Sequence, residues 1–184
     1  MIGGVQQTAA LYDTATLDTS AISIIDDLWS NPFGRPAGPI QGDFTAILIA
    51  GLSPTLPGAQ PVDVRLAQTG LVPVGTDSLE FKALTYWSDP SQSFAVSLGG
   101  QTLSLIPLQA GTNYTLYGAD IHDWAGQTAE LAFTAIAENP HVIDNYLYLD
   151  SIQFSTEPIP EPGVFALLAL GVSVVGWGVL RRRP

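Results

Sequence analysis

The chain contains no cysteine among its 184 residues. Disulfides, thiolate metal sites and cysteine nucleophiles are therefore excluded. A domain of this length can build a core without such cross-links. Basic residues are almost as scarce. Residues 1–160 carry Arg35, Arg65 and Lys82 against 16 acidic side chains, a net charge of −13. A surface of that sign repels phosphate backbones and excludes nucleic acid as a natural partner. Only two histidines occur, His122 and His141, in different expected loops. There is no GxSxG elbow, no HExxH helix and no phosphate-cradling glycine loop. Sustained helical periodicity is also lacking before residue 158, which excludes a helical bundle.

What is present instead is a series of short apolar runs between turn formers. The chain has 18 Gly and 14 Pro, and only 12% of it is charged. Strands are expected at 21–25, 43–50, 62–69, 78–84, 94–98, 101–106, 114–121, 127–137 and 146–154. Gly99-Gly100 between two alternating runs predicts a two-residue hairpin, since both central positions can take positive φ. The 114–121 and 127–137 runs are expected to pair across His122-Asp123-Trp124-Ala125-Gly126. The fold class is all-β, an antiparallel β-sandwich of jelly-roll type over residues 1–157.

The last 27 residues, 158–184, read differently. Pro160-Glu161-Pro162 is followed by an uncharged apolar run, 163–180, and then by Arg181, Arg182 and Arg183. As a helix that run spans roughly 27 Å, close to the hydrocarbon thickness of a bilayer. The arginines keep its far end cytoplasmic. Pro160 and Pro162 fix φ and lack N–H donors, so the motif stays extended above the membrane.

This ordered triple resembles the PEP-CTERM sorting signal. The resemblance implies an exported protein, held as an inner-membrane precursor by one C-terminal transmembrane helix. An exosortase-like membrane protease would then sort it to the cell surface or an exopolysaccharide matrix. Family members carry an N-terminal secretory signal. Residues 1–27 hold no Lys or Arg and no apolar stretch long enough for one, so a signal peptide is expected upstream of Met1. A plain C-terminal anchor behind a proline linker is the alternative reading of the tail. The Ala125-Gly126-Gln127-Thr128 turn, the ELAFTA run and the closing LDSIQF are similar to jelly-roll modules of the galactose-binding, carbohydrate-binding type.

Candidate sites follow from residue chemistry. Asp120, His122 and Asp123 cluster in one expected loop. With Asp144, Asn145 or Asp150 from the last strand they could supply oxygen ligands to a structural calcium ion, of which Asp120, Asp123 and Asp150 are the core set. The same Asp and His residues equally suit turn capping. On strict alternation Asp150 shares a face with Tyr146, Tyr148, Ile152 and Phe154, and such an acid needs either a ligand or a nearby backbone donor. Tyr86, Trp87 and Trp124 could stack on sugar rings, or close the ends of the core. The reading as a whole is a non-catalytic structural or glycan-binding protein with no certain cofactor. A glycan-active enzyme with two carboxylates is the rival class.

Overall fold

The computed structural model describes residues 11–12, 21–28, 38–51, 62–86, 94–137 and 145–159, with the backbone alone at 11, 12 and 86. The described residues form β1 (Leu11–Tyr12), β2 (Ala21–Ile25), β3 (Thr45–Ala50), β4 (Val64–Leu71), β5 (Ser78–Tyr86), β6 (Phe94–Leu98), β7 (Gln101–Thr102), β8 (Ile106–Ala110), β9 (Thr115–Asp120), β10 (Thr128–Ala135) and β11 (Asn145–Ser155). One short 3-10 turn, His122–Trp124, lies between β9 and β10.

Two sheets result. The larger has the order β1-β2-β3-β11-β5-β9-β8, and the smaller has the order β4-β10-β6-β7. Every pairing is antiparallel except β1 with β2. From β3 onward the chain passes repeatedly between the sheets: β3, β5, β8, β9 and β11 lie in the larger, β4, β6, β7 and β10 in the smaller. Such crossing makes a jelly-roll-like β-sandwich.

The core forms where the inner faces meet. Leu48, Leu79, Phe81, Leu147 and Leu149 from the larger sheet pack with Val64, Val96, Leu98, Phe133 and Ala135 from the smaller. Phe81 meets Phe133 edge to face, with ring centroids 5.1 Å apart, and stacks on Tyr117 at 5.6 Å. Each buried Val, Leu or Phe among these stabilises the fold by about 1.5–3 kcal/mol. The outer face of the larger sheet has its own buried cluster, Ile25, Ile47, Ile49, Tyr146 and Tyr148.

Three sequence expectations change. The runs at 114–121 and 127–137 do not pair, since β9 lies between β5 and β8 while β10 lies between β4 and β6. The 3-10 turn between them carries the chain from one sheet to the other. The expected strand 101–106 is split. Leu103 turns into the core after β7, and the chain then joins the other sheet as β8. Finally, a β-bulge in β11 separates the Asp150↔Lys82 pair from the Gln153↔Glu80 pair. Three residues on β11 advance against two on β5, and Ser151 sits at φ 50°. The extra residue reverses the alternation, so Phe154 pairs with core-facing Leu79 rather than sharing the face of Tyr146 and Tyr148.

The Gly99-Gly100 hairpin forms as expected. Both glycines have positive φ, 58° and 83°, and Leu98 pairs with Gln101.

Candidate functional site

One end of the sandwich carries the Asp120, His122 and Asp123 cluster. Strand ends meet there: Ser78 pairs with both Asp120 and Ser155, and Thr128 pairs with Leu71. Short connections close it. Ile121 N–H donates to Asp77 O at 3.0 Å, Asp77 N–H to Ser155 O at 2.9 Å, and Gly126 N–H to Val72 O at 3.0 Å.

Asp120 leaves β9 at this end and caps the following turn. Its Oδ1 accepts from the His122 backbone N–H at 3.1 Å and meets His122 Nδ1 at 2.7 Å. His122 Nε2 lies 3.0 Å from Asp123 Oδ1. The imidazole is thus clamped between two carboxylates, and all three side chains are exposed. The hydrogen bond with Asp120, then the charges of Asp120 and Asp123, hold His122 above the ordinary histidine range. The His122 side-chain and backbone hydrogen bonds hold Asp120 below the ordinary aspartate range. When protonated, the ring donates from both nitrogens and has no lone pair for a metal or a substrate proton.

The same turn seats Trp124. Its ring lies over Gly99, where an added Cβ would stand 2.8 Å from Nε1. Trp124 is half-buried and packs against the core edge. A glycine at position 99 serves the turn and also leaves room for the indole.

Asp150 stands elsewhere. It pairs with Lys82, four residues along β5 from the Ser78 level of Asp120, and on the other side of that strand. Asp150 Oδ2 accepts from Thr45 Oγ1 at 2.6 Å and from the Gln41 N–H at 3.0 Å. Thr45 Oγ1 in turn accepts from the Ile40 N–H at 2.7 Å. Lys82 Nζ donates to Gln41 Oε1 and sits 4.7 Å from the centre of the Tyr114 ring. Asp150 therefore organises the loop 40–45 against the outer sheet face. The structure does not bring it to Asp120 and Asp123. Among the described residues no group of three or more His, Asp or Glu side chains is placed to hold a metal ion.

The three aromatic candidates are also divided. Tyr86 closes β5 at the end opposite Ser78, so eight residue steps, about 26 Å, separate its backbone from the end that holds Trp124. Trp87, His141, Asp144, the motif Pro160-Glu161-Pro162, the run 163–180 and Arg181–Arg183 lie outside the described residues. Among the described residues no helix is long and apolar enough to cross a membrane.

Two features were not read from the sequence. A cleft of about 640 Å³ opens between the sheets, walled by Phe94, Val96, Leu103, Leu105, Tyr117 and Ile136, with Thr102 and Thr115 on its lining. Its walls suit an apolar group. No single run encodes it, because the walls come from both sheets and from the crossing at 103–105. The second feature is the exit of the chain. Ser78 Oγ donates to Glu157 O at 2.6 Å, Glu157 N–H donates to Ser155 Oγ at 3.0 Å, and the side chains of Ile159 and Leu108 both lie over Gly118. A Cβ at position 118 would stand 2.5 Å from Ile159 Cδ1, so glycine there makes the socket.

No protein-family model, no curated protein and no solved structure matches this chain.

Proposed function

We propose that the chain is an exported protein, held at the inner membrane as a precursor, whose jelly-roll body does non-catalytic work at the cell surface or in an exopolysaccharide matrix. The supporting observation is the junction at Ile159. The body is pinned to its last turn by Ser78, Ser155 and Gly118, and Pro160-Glu161-Pro162 begins at the next residue. The last described turn of the body is thus held immediately before the Pro160-Glu161-Pro162 motif that resembles a PEP-CTERM signal. In this reading the proline-fixed motif is offered to an exosortase-like protease, the run 163–180 spans the bilayer, and Arg181, Arg182 and Arg183 stay in the cytoplasm.

The decisive experiment follows the precursor in an exporting host that has an exosortase. The native chain should appear first with membranes and then as a shortened, released or surface form. Glu161→Ala should remain at full length in the membrane. A precursor that fractionates entirely with the aqueous phase would falsify the reading. A tail retained equally in both chains would leave a plain anchor.

Glycan binding is the role proposed for the body, through Tyr86 and Trp87 or through Trp124. Affinity electrophoresis in isolated exopolysaccharide separates these from a purely structural role. Retardation lost on Trp87→Ala or on Trp124→Ala assigns the surface. Turnover of the same polysaccharide would instead support the glycan-active enzyme.

A further inference from the structure

We infer that the free edge of β4 pairs with β4 of a second copy of this chain, antiparallel about a two-fold axis near Thr69, so that the smaller sheets of two bodies become one. The contact belongs to the body and does not depend on the tail.

The main chain decides which residues are available. Gly99 N–H donates to Glu130 O at 2.9 Å, so Glu130 turns its main chain toward β6, and Ala129 and Leu131 turn theirs toward β4. Their partners there are Gly70 and Gln68. The bond from Val72 N–H to Gln127 O, also 2.9 Å, keeps the same phase. Ala67, Thr69 and Leu71 therefore aim their N–H and C=O groups away from β10, and β4 is the terminal strand of its sheet. Ala67–Leu71 are exposed without a break.

The described edges differ in how they discourage such pairing. β1 and β7 are each two residues long. β8 carries Pro107, which has no N–H, and a register shift between Pro107 and Gln109. β4 runs eight residues in unbroken register with β10 and holds no proline, no lysine and no bulge. Of the described edges it is the one fit to receive another strand.

Charge selects a second copy as that strand. Residues 1–160 carry a net charge of −13, so two copies repel over most of their surfaces. Residues 64–76 contain no acid, and their single charge, Arg65, forms an ion pair with Glu130. A foreign basic strand would gain from acids at the contact; their absence suits a partner that is itself acidic. An antiparallel strand is also complementary to itself across a two-fold axis. With the axis at Thr69, Leu71, which is 63% exposed, lies across from Ala67 of the second copy. About six main-chain hydrogen bonds form. One strand edge is less than a standard interface, so the dimer is weak and concentration-dependent. Because β7, at the other edge of the smaller sheet, is so short, pairing stops at two copies and does not grow into a fibre.

Sedimentation of the full-length chain in a mild non-ionic detergent provides the test. The chain should pass from monomer to dimer as its concentration rises, and added salt should strengthen the dimer by screening the two bodies. Thr69→Pro removes an outward donor that β10 does not use, and Thr69→Lys sets two like charges at the axis. Each should weaken the dimer by about tenfold or more with an unchanged circular dichroism spectrum. Where proline disturbs the strand itself, the lysine variant decides alone. A nitroxide on Thr69→Cys, in a chain with no other cysteine, should show dipolar broadening that disappears on dilution with unlabelled chain, and one on Gln109→Cys in β8 should show none. A chain that stays monomeric at every concentration would overturn the pairing. So would a dimer indifferent to both Thr69 substitutions, which places the contact elsewhere, for example on the run 163–180. Open-ended growth into larger species would also overturn it.

Discussion

The two sheets bury their strands differently. In the larger sheet the central strands are covered on both faces. Leu48, Leu147 and Leu149 point into the sandwich, while Ile47, Ile49, Tyr146 and Tyr148 are equally buried outside it. In the smaller sheet β4 buries Val64 and then becomes progressively exposed to Leu71. The sequences differ accordingly. Double burial produces the unbroken runs of β3 and the first half of β11, and single burial leaves polar residues such as Arg65, Gln68 and Thr69 in β4. A strand can thus signal its place in the layers by how far it abandons alternation.

Point substitutions can break that contrast. Leu147→Ala, at the centre of the doubly covered sheet, should destabilise the protein by about 2–5 kcal/mol in urea denaturation. Gln68→Ala on exposed β4 should stay within about 0.5 kcal/mol. Equal losses at the two positions would remove the distinction. A smaller effect is expected from Asp150→Ala, which strands the Thr45 hydroxyl and the Gln41 amide. It should cost about 1–3 kcal/mol and speed hydrogen exchange at Gln41. Unchanged exchange there would show that the loop 40–45 does not depend on Asp150. Gly118→Val should evict Ile159 from its socket at a cost of about 1 kcal/mol. Its clearer sign would be faster proteolysis near Pro158, and a native cleavage rate would count against the socket.

The smallest effect is the pH response of the exposed clamp. Asp120 has its carboxyl held low, so its contribution is present above the ordinary aspartate value and is lost as pH falls through the lowered one. His122 is held high, so its contribution is complete below the ordinary histidine value and is lost as pH rises through the raised one. Both act together only between those two ordinary values. Because the groups are exposed, the melting temperature should barely change. The NMR titration of the His122 ring should have a midpoint above that of free histidine, and Asp120→Asn should lower it. A midpoint insensitive to Asp120→Asn would mean that the clamp does not form in solution.

Much of the strand pattern was readable because it is local. The 21–25 and 94–98 runs and the Gly99-Gly100 turn announce themselves through alternation and positive-φ glycines. Which strands become neighbours was not readable for β9 and β10. Two adjacent runs joined by five residues look like a hairpin, yet the buried faces of β9 and β10 belong to opposite layers. The bulge at Ser151 was equally silent, since no glycine or proline marks it, and it misdirected the reading of Phe154. In the candidate site, the bonding of Asp150 to a nearby loop was one of the two readings open in the sequence. The separation of Asp150 from Asp120, and of Trp124 from Tyr86, depends on strand register, which no local pattern states.

Strand β11 sits between β3 and β5, at the middle of the larger sheet, although it follows every other described strand. A polypeptide delivered amino end first must therefore wait for its final segment before the sheet can close. Until then β3 and β5 each keep a bare edge, open to mispairing with other nascent chains. The apolar run 163–180 follows closely behind that strand, so the sheet can be completed only shortly before that run is itself delivered.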